Sequence, residues 1–291
     1  MSAPRIQPPD PAQVLEDVRR ALAEDVREGD VTADLLPDGP DIAYLLCKEE
    51  AVIAGRPWFD ATHRALDPDV RIDWRIAEGD RVPAGTVIAT LAGRSRALVT
   101  GERTALNFLQ TLSGTATLTA EHVQVVAGTG TRLLDTRKTL PGLRLAQKYA
   151  VLMGGGHNHR IGLFDAVMLK ENHIRAFGSL AAAAEAARSR HPGLPLIIEV
   201  ETLDQLREAL RTGCTRILID DFDAADRSEA VRIARESGAG IPLEVSGGVD
   251  MGTLRGIAED GVDFISIGGL TKHVRAVDLS MKLGPPPSTS G

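Results

Sequence analysis

Leu196–Asp221 reads LIIEVETLDQLREALRTGCTRILIDD, and this stretch decides the fold. LIIEV is a short, branched, apolar run; Leu203–Arg211 is amphipathic at helical spacing; after a Gly, Arg216–Ile219 is apolar again. Strand, helix and strand in so few residues predict a parallel pair joined by a helical crossover, because parallel strands need a long connection. The alternation continues on both sides. Apolar runs fall at Thr131–Asp135, Ala166–Leu169, Ile241–Val245 and Asp263–Ile267, with helical segments at Ser179–Arg190 and Asp226–Glu236. Six such units predict an α/β chain whose parallel sheet closes as a barrel.

Barrels of this kind place their chemistry at the carboxyl ends of the strands. Those ends read, in order, Asp135-Thr136-Arg137-Lys138, Lys170-Glu171, Glu201, Asp220-Asp221, Ser246-Gly247-Gly248 and Gly268-Gly269. Basic groups, then acids, then glycines fit an anionic substrate, a metal-assisted or cationic centre, and a phosphate held by backbone N–H groups. Each alone has a plain alternative: a tight turn, a capping acid, a solvated basic face. Their coincidence at six strand ends outweighs those alternatives. From Leu133 to His173, six Lys/Arg against Asp135, Asp165 and Glu171 leave +3, in a chain of net charge −7. The island includes His157-Asn158-His159-Arg160. A metal pair of His157 and His159 is a weaker rival, since His-x-His is common by chance.

At 291 residues and 43% hydrophobic, the chain can bury one large core or two unequal ones. Aromatics at 3% and the lack of a basic stripe exclude a general nucleic-acid binder. The opening MSAPRIQPPDPAQ has no apolar run, and nowhere do about 18 apolar residues follow one another. The expectation is a cytoplasmic protein, neither exported nor inserted in a membrane. Cys47 and Cys214, far apart and without metal spacing, fit a reducing compartment as buried small hydrophobes. The Pro-, Ser- and Gly-rich ends, 6–11 and 284–291, read as loose tails. The first third mixes a helix at Ala12–Glu24 with strands in Ile42–Ile53 and Val70–Leu91. Glu78–Ile88 resembles half of a biotinyl or lipoyl sandwich, but no carrier lysine follows on a hairpin, so it reads as scaffold. Thr100 reads as the N-cap of a helix with an Ala105, Phe108, Leu109 and Leu112 stripe.

Four longer motifs carry a family likeness. LDTRKTLPGLR at Leu134–Arg144, GGGHNHR at Gly154–Arg160, LKENH at Leu169–His173 and GERTALN at Gly101–Asn107 resemble quinolinate phosphoribosyltransferases, the decarboxylating nicotinate-nucleotide pyrophosphorylases. Glu24-Asp25 with Gly29–Thr32, and Gly261–Ser266, resemble them too, so the likeness runs from residue 14 to residue 283. It implies an α/β open-faced sandwich domain (1–115, joined by 271–291) preceding an incomplete parallel α/β barrel (116–270). It also implies quinolinate, phosphoribosyl pyrophosphate and Mg²⁺ as reactants, yielding nicotinate mononucleotide, pyrophosphate and CO₂ in NAD biosynthesis. The enzyme would be a homodimer with shared active sites, with further assembly into hexamers left open.

The resemblance also implies roles. Arg137, Arg160 and the neighbouring subunit's Arg103, with His159 and Lys170, would hold the two ring carboxylates, and Thr136 belongs to the substrate-binding set. Lys138 and Lys170 would meet pyrophosphate or phosphate. Glu201 and Asp220 would bind the ribose hydroxyls or Mg²⁺, directly or through water, with Glu199 on the same strand face as an alternative. Ser246, Gly247, Gly248, Gly268 and Gly269 would cradle the 5′-phosphate. Lys138, Lys170, Glu201 and Asp220 form the implied catalytic set. Two positions depart from the family pattern: Asp221, where Asn is frequent, and Gly269, where Ala is frequent. The runner-up is a nicotinate phosphoribosyltransferase, which shares the fold plan but does not decarboxylate.

Overall fold

The computed structural model describes residues 9–287; Ile6–Pro8 and 288–291 of the expected tails lie outside them. The described chain forms two compact units. The first comprises the described parts of Met1–Ala120, Thr139–Gly155 and Leu270–Gly291. Its antiparallel sheet is ordered β12-β1-β5-β3, where β1 is Pro40–Cys47, β3 Arg71–Trp74, β5 Thr86–Arg94 and β12 Leu279–Leu283. Leu45 lies opposite both Met281 and Ala89, so the C-terminal strand completes a sheet built from the N-terminal third. Alternation puts Ala43, Leu45 and Cys47 of β1 on one face with Leu279 and Met281. That face packs with Phe59 of α2 (Arg56–Leu66) and with Leu98, Leu106 and Leu109 of α3 (Ser95–Val125). A second core joins Val14 and Val18 of α1 (Pro11–Asp25), Trp58, Leu112, and Tyr149 of α4 (Arg144–Met153). A short pair, β2 (Ala51–Val52) with β4 (Arg81–Val82), carries the lipoyl-like turn as scaffold. Both cysteines are buried free thiols.

Thr100 is not an N-cap. The strand β5 ends at Arg94 and α3 begins at once at Ser95, so no loop marks the junction. Ser95 secures it instead: its N–H donates to the Gly39 carbonyl (2.8 Å) and its hydroxyl to the Pro37 carbonyl (2.6 Å). Thr100 sits inside the helix and donates its hydroxyl to Asp30 Oδ2 at 3.0 Å. The Ala105, Phe108, Leu109 and Leu112 stripe is buried as expected.

The second unit is Glu121–Lys138 with Gly156–Gly269. Six parallel strands run in the order β6 (Arg132–Leu134), β11 (Phe264–Ser266), β10 (Leu243–Ser246), β9 (Arg216–Asp220), β8 (Leu196–Val200) and β7 (Val167–Leu169). Helices α5 (Glu171–Phe177), α6 (Leu180–Arg190), α7 (Leu203–Ala209), α8 (Ala224–Glu236) and α9 (Leu254–Glu259) intervene. Side-chain caps start three of them: Ser179, Thr202 and Asp223 accept the N–H of Ala182, Gln205 and Asp226. Strand β8 is buried along its whole length, and Ile197 packs with Ala166, Met168 and Leu218 in a small cluster.

Closure is where the strand count misleads. Among the described residues β6 and β7 do not pair, so the barrel is incomplete. The outer edge of β6 is already occupied: His157 donates its N–H to the Leu133 carbonyl (2.8 Å), and Asp135 N–H donates to the His157 carbonyl (3.0 Å). The 115/116 division suggested by sequence falls inside α3, and Thr139–Gly155, with α4, groups with the first unit.

Candidate active site

A cavity of about 440 Å³ opens at the carboxyl ends of the barrel strands, lined by residues of the second unit. That volume suits a small-molecule site. Thr136, Arg137 and Lys138 line it from the segment after β6, and His159 and Arg160 from the segment that edges β6. Met168 and Lys170 come from β7 and its end, Glu199 from β8 and Asp220 from β9. A cavity of about 450 Å³ in the first unit is lined by Asp17, Glu24 and Asp25 with Arg20 as its one basic group, and so does not suit anions.

Asp135 explains how the cationic segments are held. Its side chain is fully buried, and its two oxygens accept the His159 N–H (2.9 Å) and the Asn158 side-chain amide (2.6 Å). A buried carboxylate with charge-assisted bonds on both oxygens is a firm anchor. Arg160 then reaches the Ala166 carbonyl (3.3 Å) and Met168 Sδ (3.6 Å). Burial, and next the nearby Arg137 guanidinium, push the Arg160 guanidinium below its ordinary value. Two guanidiniums crowded in one cavity favour a multiply charged anion between them.

Lys170 Nζ is 2.6 Å from Glu199 Oε2, and the Lys170 N–H donates to His173 Nδ1 at 3.1 Å. Glu199 is 8% exposed and lines the cavity. Glu201, two residues on, is exposed past the end of β8, with its N–H held by Gln205, and is not among the lining residues. Asp220 does line it. Gly247 has φ +89°, and a Cβ there would come within 3.3 Å of Asp220 Oδ1. A Cβ on Gly268 would come within 2.8 Å of Lys138 Cδ, so glycine permits the close approach. Gly248 follows Gly247, and Gly269 opens the short helix α10 (Gly269–Lys272). Asp221 holds φ +59°, a conformation that Asn and Asp tolerate better than most residues, which accounts for either at this position. Arg103 is exposed on α3 in the first unit.

Sequence reasoning passed over Glu244, Ser266 and Met168, all of which line the cavity. A charge in the middle of the apolar run Ile241–Val245 was the available signal for Glu244. The His-x-His metal pair has no support: His159 Nδ1 accepts the Arg160 N–H (2.6 Å), and among the described residues no group of three or more His, Cys, Asp or Glu could hold a metal ion.

The chain is similar to known proteins over most of its length. Sequence models described as quinolinate phosphoribosyl transferase, N-terminal domain and C-terminal domain, match residues 30–113 and 115–282. A Synechocystis protein described as "probable nicotinate-nucleotide pyrophosphorylase [carboxylating]" is 43% identical over 90% of each chain. The nicotinate-nucleotide pyrophosphorylase [carboxylating] of Mycobacterium leprae is 39% identical over 92% of this chain and 96% of its own. The solved nicotinate-nucleotide pyrophosphorylase of Francisella tularensis superposes with a TM-score of 0.93 at 43% identity, covering 97% of this chain and 100% of that one. With both domain models matched in sequence order and the fold shared over nearly the whole length, the chain belongs to the quinolinate phosphoribosyltransferase family.

Proposed function

We propose that the barrel cavity joins quinolinate to phosphoribosyl pyrophosphate, giving nicotinate mononucleotide, pyrophosphate and CO₂ in de novo NAD biosynthesis. The observation that carries this reading is the crowding of Arg137 and Arg160 in a cavity also lined by Lys138 and Lys170. Two forked guanidiniums suit a planar dicarboxylate, and lysines suit phosphate oxygens. The partner's Arg103 completes the carboxylate site in a homodimer with shared active sites, working in the cytoplasm; hexamers are a further step of assembly. Ser246-Gly247-Gly248 and Gly268-Gly269 present backbone N–H groups to the 5′-phosphate.

The pyridine nitrogen attacks C1 of the ribose while the bond to pyrophosphate breaks, through an oxocarbenium-like state. Positioning and electrostatic stabilisation supply the catalysis, so no covalent nucleophile is required. The bond to the 2-carboxylate then breaks, CO₂ leaves, and the electron pair stays on the ring carbon beside the pyridinium nitrogen until a proton replaces it. Mg²⁺ enters with phosphoribosyl pyrophosphate as part of the substrate and offsets its charge. The residues fit such an ion: Asp220, with Glu199 lining the cavity or Glu201 beyond it, offers the few carboxylates that a water-keeping Mg²⁺ needs.

Mass spectrometry of products decides the reading. One CO₂ per nucleotide is expected from quinolinate, and no turnover from nicotinate, whose single carboxylate leaves a half-buried arginine without its carboxylate. Comparable turnover of nicotinate, or nucleotide from quinolinate without CO₂, would overturn it.

A further inference from the structure

Beneath the cavity lies a charged chain that the reaction as described does not use. Glu244 and Ser246 fall on one face of β10, with Glu244 a step deeper, and both line the cavity. Glu244 is 0% exposed. One oxygen accepts from Arg216 Nη1 at 2.9 Å; the other lies 3.4 Å from His159 Nε2. Arg216 in turn stacks over the Phe264 ring at 4.6 Å. Burial alone would raise the Glu244 carboxyl, but the His159 ring beside it, and then the bond from Arg216, outweigh it and hold it below its ordinary value.

The imidazole is fixed from both sides. Its Nδ1 accepts the main-chain N–H of Arg160 at 2.6 Å, so Nδ1 carries no proton and the proton of the neutral ring sits on Nε2, facing Glu244. Arg160 is thereby tied through its own backbone to a ring whose tautomer a buried acid sets. We propose that Glu244 is a positioning residue for substrate binding: by holding His159 as the Nε2–H tautomer it fixes the backbone at Arg160 and hence the guanidinium that grips a ring carboxylate. This rests on the proposed quinolinate site. It also changes the role of His159, which braces Arg160 through Nδ1 and faces Glu244 with Nε2 rather than presenting its nitrogens to the substrate.

Two double variants isolate the acceptor: Glu244→Gln with Arg216→Met, and Glu244→Met with Arg216→Met. Removing Arg216 from both avoids stranding a guanidinium beside a lost partner. Calorimetry should give quinolinate binding within about threefold of the parent for the Gln pair and about tenfold weaker for the Met pair, with the KM for phosphoribosyl pyrophosphate within about twofold in both. Nitrogen-15 spectra of histidine-labelled protein at pH 8 should show His159 as a single Nε2–H tautomer in the parent and the Gln pair, and as a mixture in the Met pair. An Nδ1–H tautomer in the unaltered protein overturns the proposal, even if the Met pair does not fold. So does a folded Met pair with parental quinolinate affinity. If the unaltered protein binds no quinolinate, the functional reading fails, while the tautomer still decides whether Glu244 positions His159.

Discussion

Arg137 and a lysine in its place carry the same charge, but only the arginine offers a planar fork to a carboxylate. Arg137→Lys should therefore lose a charge-assisted bidentate contact worth roughly 1.5 to 3 kcal/mol, or about 10- to 150-fold in kcat/KM. Steady-state kinetics beside a melting curve check it; parental kinetics would remove Arg137 from the carboxylate site. At this scale the cationic half of the site was legible, because Arg137, Lys138, Arg160 and Lys170 are clustered in the chain and sit at strand ends. The acids were less so. Glu199 and Glu201 share a strand face, and only the fold shows that the strand ends between them, leaving Glu199 in the cavity and Glu201 exposed. Asp135 and Glu244 are buried anchors whose partners lie far along the chain, a relation that no local pattern reveals.

Strands of three to five residues are readable because helices separate them, and at three of those helices a capping residue announces the restart. Where strand passes directly into helix, as from β5 to α3, no such punctuation exists, and an N-cap at Thr100 puts the start six residues late. The α2–α3 packing carries a testable pH effect. His63 on α2 is buried against Phe59, with its Nδ1 2.9 Å from where a Cβ on Gly101 would stand, and burial pushes the imidazole down to about 4. Below pH 6.5 the unfolded chain takes up a proton that the folded one refuses. Stability should thus fall by about 1.4 kcal/mol per pH unit between pH 6.5 and 4 and level off below that. Denaturant unfolding should show His63→Leu spared about 2 to 3 kcal/mol of the parent's loss over this window. Equal losses in parent and variant would mean His63 is charged in the fold.

For the whole molecule, the decisive question is whether two chains build each site. Arg103→Ala removes the residue proposed to visit, and Lys138→Ala a residue of the host cavity, so each homodimer should be nearly inactive. A mixed dimer has one site with both defects and one with neither. Random exchange makes half the dimers mixed, so activity should return to about a quarter of the parent's. Persistent inactivity, with exchange shown by native mass spectrometry, would place Arg103 within its own chain. Failure to close the barrel has a cost that this chain meets with its own segment. An uncovered strand edge is a template on which another chain can add, the usual start of aggregation. Along β6 that template is taken up by His157, two residues before His159. One short stretch therefore covers an open strand edge and carries residues of the proposed substrate site, and both have to be kept through any change made to it.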